Sequence, residues 1–238
     1  MSRTFDIRTE NHLDASPEVV WDAVTTGNAG WLWPMEVEPR QGGSGPFGSK
    51  VTAWEPPRHF ANHLETQEGF YNTLDYGIEP DGDGAWIRYQ HAGIFLQDLD
   101  DDQWANQYDG VRLHTDFYQH TLGQYVKYFP GRSAAFAEVR GPEASGAPDA
   151  FLRVLEAVKA TENGVPVSFQ VPGKGLVEGT VDYLTDHFLG VRTSEALYRF
   201  FGRNAFGDVV GLTVHEFGEG AQADGEAWQE WLNGLYAA

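Results

Sequence analysis

Three side chains able to move a proton, His63, Tyr89 and His91, fall on segments read as neighbouring strands, and Asp75 lies on the strand between them. Imidazole titrates near neutrality, and a carboxylate or phenol beside it can orient it or relay its proton. The set therefore suits general acid–base work on a bound carbonyl compound. That chemistry needs the groups on one face of a sheet, and a shift of one residue moves a side chain to the other face. His63, His91, Tyr89 and Asp75 are carried forward as catalytic candidates on that condition.

Other constellations are weaker. His59 and His63 are four apart, a helical spacing in a segment that reads as strand, and His114 and His120 point different ways on a helix. Asp98, Asp100, Asp101 and Asp102 lack the glycine and distal glutamate of a calcium loop, so a solvated acidic loop is expected and no metal site. Gly173-Lys174-Gly175 has neither phosphate-loop nor dinucleotide spacing and reads as a hairpin turn. No Gly-x-Ser-x-Gly elbow is present. No cofactor is implied.

The elements that must position these residues follow from periodicity and turn chemistry. Thr4 to Leu13 alternates as a first strand, and Ser16-Pro17-Glu18 opens a helix to about Thr25. Ala29 to Pro34 reads as a short helical turn, and the glycine-rich Arg40 to Gly48 as a loop. Strands are expected over 50–55, 59–66, 70–79 and 85–95, with Pro56-Pro57 and Pro80-Asp81-Gly82-Asp83-Gly84 as turns. In the last strand Trp86, Arg88 and Gln90 alternate with Ile87, Tyr89 and His91. A long helix is expected from Asp109 to Phe129, with Val111, Tyr118, Leu122, Tyr125 and Phe129 on one stripe.

After Pro130-Gly131 the pattern restarts. Ala147-Pro148-Asp149 opens a second proline-started helix, short strands follow, and 225–236 closes the chain as a helix. The expected organisation is one domain over 1–131 and a degenerate, shortened second copy over 132–238.

Composition narrows the partners. With 41% apolar and 14% aromatic residues the chain can bury a core. A formal charge of −19 repels phosphate backbones and anionic bilayers, so no nucleic acid is expected, while a basic protein surface is admissible. There is no cysteine, no apolar run long enough to span a membrane, and no apolar core in Met-Ser-Arg-Thr-Phe-Asp; a cytoplasmic location is expected.

Ser16-Pro17-Glu18-Val19-Val20-Trp21-Asp22-Ala23, the hairpin from Gly48 to Phe60 through Pro56-Pro57-Arg58, and Trp104 shortly before the long helix resemble the SRPBCC, or START-like, superfamily. The branch they resemble is that of the Aha-type activators of a heat-shock-protein ATPase. The resemblance covers the first half well and the second in outline. It implies an α+β helix-grip fold: a curved antiparallel sheet of about seven strands around a long helix, with a cavity between them. It also implies a small hydrophobic ligand (lipid, sterol or polyketide-like) against Trp54, His63, Phe70, Tyr76, Trp86, Tyr89, His91, Phe117 and Tyr118. The alternatives are a protein-interaction module of the ATPase-activator type and a cyclase- or hydrolase-like enzyme using the histidines; binding is favoured over catalysis.

Overall fold

The computed structural model describes residues 2–237 and divides into two compact units, Met1–Ser133 and Ala134–Ala238. The fold is mixed α+β with two antiparallel sheets.

The first unit opens with β1 (Arg3–Leu13), whose alternating burial turns Phe5, Ile7 and Leu13 inward. Helix α1 (Pro17–Val24) follows, its first turn capped by Ser16 and started by proline. The strands β2 (Lys50–Glu55), β3 (His59–Glu65), β4 (Tyr71–Asp81) and β5 (Gly84–Phe95) form a meander, with a cis Pro56–Pro57 bond between β2 and β3. β1 closes the sheet by pairing with β5, giving the order β1-β5-β4-β3-β2. The sheet has five strands, where about seven were expected. The β4–β5 hairpin is tight: Asp81 pairs with Gly84, leaving Gly82 at φ +59 in the turn, a conformation glycine adopts without a Cβ clash.

Helix α2 (Asp101–Tyr128) lies along the inner face of this sheet. It starts eight residues before the expected Asp109, because Asp100 and Gln103 form a capping box. The acidic stretch is therefore a helix start, with Asp101 and Asp102 complementing the N-terminal dipole. Trp104, expected before the helix, sits in its first turn.

The second unit has the same order of events. β6 (Ala135–Arg140) is followed by α3 (Ala150–Val158) and by a meander of β7 (Pro166–Val171), β8 (Gly175–Leu184), β9 (Phe188–Arg192), β10 (Ala196–Phe201) and β11 (Gly211–Glu216). β6 pairs with the last strand, as β1 does in the first unit, and α4 (Gly225–Gly234) ends the chain. Its sheet has six strands, so the second unit is not shortened in the sheet; the shortening lies in α4, 10 residues against 28. Its core packs Trp228, Trp231, Phe169 and Phe200 with Val154 and Val158 of α3. Gly173 and Lys174 turn the β7–β8 hairpin as expected, and Lys174 Nζ pairs with Glu216 at 2.5 Å.

Candidate functional site

Strand pairing in the first unit sorts the candidates by face. Tyr89 stands opposite Tyr76 and Thr9, and His91 opposite Leu74 and Ile7, so all of these look inward. On β3 and β2 the inward positions are Asn62, Phe60 and Trp54. Asp75 pairs with Gln90 and Ala61, and His63 with Thr73, which puts both on the outer face. There His63 Nδ1 meets Thr73 Oγ1 at 2.7 Å, and Asp75 accepts from His59 at 3.1 Å.

The expected His63–Asp75–Tyr89–His91 constellation is therefore split between two faces, and the acid–base set does not assemble. The period of two is the reason: 91 and 74 share a side, so 91 and 75 cannot. Trp86 is likewise an outer-face residue, 38% exposed and packed edge-on to His12. Phe70 lies in the β3–β4 connection, half-buried and one residue before β4, just outside the strand expected over 70–79. Phe117 and Tyr118 are both on α2, but successive residues project about 100° apart around a helix, so they cannot face one point together.

The inward face instead carries an unbroken series of rings. Trp21 of α1 meets Trp54 at 4.9 Å between centroids, Trp54 meets Phe60 at 5.7 Å, and Phe60 stacks on Tyr76 at 5.9 Å. Tyr76 meets Tyr89 at 4.7 Å, and His91 follows at 6.4 Å, with Phe5 edge-on to it at 5.0 Å. The series reaches α2 through Phe95 and Trp104, 5.6 Å apart. Spacings of this size are those of favourable tilted and edge-to-face contacts.

Burial changes along this face. Toward the β4–β5 turn, Ile78, Ile87, Ala85 and Leu13 are buried, as are Leu122, Tyr125 and Val126 in the second half of α2 and Phe129 just after it. Toward the first half of α2 the inward residues Asn72, Leu74 and His91 are only half-buried, as are Val111, His114 and Tyr118 on the helix. The inner face of the sheet is therefore less fully covered at this end than near the β4–β5 turn. Trp33, held by the segment after α1, lies with its ring 5.8 Å from Tyr118. Buried Asn28 pins that segment, donating to the carbonyls of Thr25 and Met35 and accepting from the Met35 amide.

The polar groups on this inner face are held uncharged. Burial pulls the His91 imidazole down to about 4, and Asn72 Nδ2 donates to its Nε2 at 2.8 Å. Burial pushes the phenol of Tyr76 far up, and the same cause, reinforced by Tyr76 and Tyr118, holds Tyr89 up. The polar side chains on this face are thus held without a net charge. Among the described residues no group of three or more His, Cys, Asp or Glu could hold a metal ion. No helix among them is long and apolar enough to cross a membrane.

Sequence reasoning missed Asn72, Leu74 and Trp33. The first two were within reach, because 72, 74 and 76 share a side of β4 with Tyr76. Trp33 sits in irregular backbone, where no periodicity signals a facing.

No family model and no curated protein matches the chain. Among solved structures it is similar to CalU16 from Micromonospora echinospora, at 18% identity over 55% of this chain and 86% of that one, with a TM-score of 0.40. DynU16, from the dynemicin biosynthetic locus, aligns at 15% identity over 97% of this chain and 96% of its own, with a TM-score of 0.42. SA2116 of Staphylococcus aureus, a protein of unknown function, aligns at 11% identity over 53% and 98%, with a TM-score of 0.40. Likenesses at this level carry no functional weight; the topology rests on this chain's own strand pairing.

Proposed function

We propose that the first unit binds a small, uncharged, largely hydrophobic molecule in the cleft between its sheet and α2. One observation carries this reading: Asn72, Leu74 and His91 face the helix yet stay half-buried, while inward neighbours nearer the β4–β5 turn are buried. An inward face that is not fully covered by its own helix leaves apolar and ring surface for a ligand to cover. The neutral His91–Asn72 pair supplies the polar contact that orients it. Catalysis by a histidine–carboxylate pair has no support in this cleft, since Asp75 and His63 lie on the opposite face.

Native mass spectrometry of the protein beside its denatured mass tests this. A co-purified mass of a few hundred daltons that Leu74→Trp abolishes is the expected result. Retention of that mass by a folded Leu74→Trp protein sinks the reading. So does failure of the wild type to bind any member of a panel of uncharged lipophilic dyes.

A further inference from the structure

Among the described residues Phe47 is the most exposed large apolar side chain, at 77%, and its backbone lies in the left-handed region at φ 56, ψ 24. A bulky residue there is an outlier, and the surrounding loop is rich in the residue that would relax it: Gly42, Gly43, Gly45 and Gly48. The chain keeps a ring at this position at the cost of both backbone strain and hydration of an apolar surface. Strained residues of this kind cluster at ligand clamps.

The ring has a partner. Phe47 and Trp33 make a tilted contact with centroids 6.4 Å apart and planes at 56°, and Trp33 in turn meets Tyr118 edge-on. A flat ring held between two others needs about 7 Å between their centroids, twice the ~3.5 Å contact distance. The pair is therefore closed on itself, and Phe47 must turn through the 56° between the planes to receive a third ring. Two polar atoms beside it lack partners among the described residues: buried Trp33 Nε1, and Oγ of buried Ser49 two residues after Phe47. An indole N–H can only donate, so what would satisfy it is an acceptor oxygen.

From these observations we infer that Phe47 and Trp33 form an aromatic clamp at the cleft mouth, taking a flat, uncharged ring system that presents a carbonyl-type oxygen to Trp33 Nε1. The inference rests on the cleft being a ligand site, and adds to it the shape and polarity of what enters.

Nile red, a flat uncharged dye with a ring carbonyl, is the probe, titrated against the full chain by fluorescence. Saturable binding is expected, and Phe47→Gly should weaken it at least tenfold while the melting temperature holds or rises as the left-handed backbone relaxes. Trp33→Phe keeps a ring but removes the N–H, and should also weaken binding. Leu74→Trp, and Val111→Trp two turns before Tyr118, fill the cleft from sheet and helix and should abolish it. Wild-type affinity in Phe47→Gly alongside loss in the filled variants overturns the clamp and leaves the cleft standing. Wild-type affinity in folded, filled variants removes both readings, and absence of saturable binding to the wild type overturns the proposed ligand class.

Discussion

Asn72 Nδ2 lies 2.8 Å from Nε2 of His91, a diagonal contact across the β4–β5 pair on the face that α2 covers. Because the amide donates, Nε2 must be the bare nitrogen and the ring proton sits on Nδ1. Burial acts in the same direction by disfavouring the imidazolium.

His91 should make the fold sensitive to mild acid. Its folded pKa of about 4 lies below the ordinary 6.5, so between those values the unfolded chain binds a proton that the folded chain refuses. Stability therefore rises with pH through that window and falls on acidification, by roughly 3 kcal/mol in all. Urea unfolding at neutral pH and near pH 5 should show this slope, and His91→Gln should flatten it. An NMR titration of His91 with a midpoint near 6.5 would contradict the assignment.

Removing the amide tests the same contact from the other side. Asn72→Leu keeps the volume but leaves Nε2 without its donor, and should cost about 1–2 kcal/mol. It should also raise the His91 midpoint if water enters, or lower it if the site dries further; an unchanged midpoint would mean the contact is not made in solution.

Tyr76 and Tyr89 are hydrogen-bonded to each other in the buried core, so each single phenylalanine variant strands the other hydroxyl. Each should lose about 1–2 kcal/mol, and the double variant should lose less than the sum. Additive losses in the cycle would show that the hydroxyls are not coupled.

Gly30 is a packing requirement. A Cβ there would lie 2.2 Å from Cε2 of Tyr125, whose ring is buried against that turn. Gly30→Ala should cost about 1–3 kcal/mol, and Tyr125→Leu in the same chain should recover part of it. A neutral Gly30→Ala substitution would place the segment after α1 elsewhere.

The start of α2 can be checked at its cap. Asp100 Oδ1 accepts from the Gln103 amide at 2.8 Å, and Gln103 Oε1 accepts from the Asp100 amide at 3.1 Å. Asp100→Ala should cost about 1 kcal/mol, with Asp100→Ser close to wild type. A helix beginning at Asp109 would be indifferent to both.

Much of this architecture was legible in the residues. β1 to β5 fall within a residue or two of where alternation and turn chemistry put them, because a strand's period of two and a Pro-Asp-Gly turn are local properties. The inward set Ile87, Tyr89 and His91 was readable for the same reason. Even the failure of the Asp75–His91 pairing was latent in the sequence. A two-residue turn at Gly82-Asp83 makes paired positions sum to 165, which sends His91 to Leu74 and Asp75 to Gln90. Strand identity and facing are thus fixed by the chain itself, one hairpin at a time. What only the tertiary structure decided is which part of the sheet's inner face is less fully covered, and which loop side chains lie beside α2. Trp33, Phe47 and the half-buried Leu74 acquire their setting from segments distant in sequence, and no local period encodes a distance between a helix and a sheet.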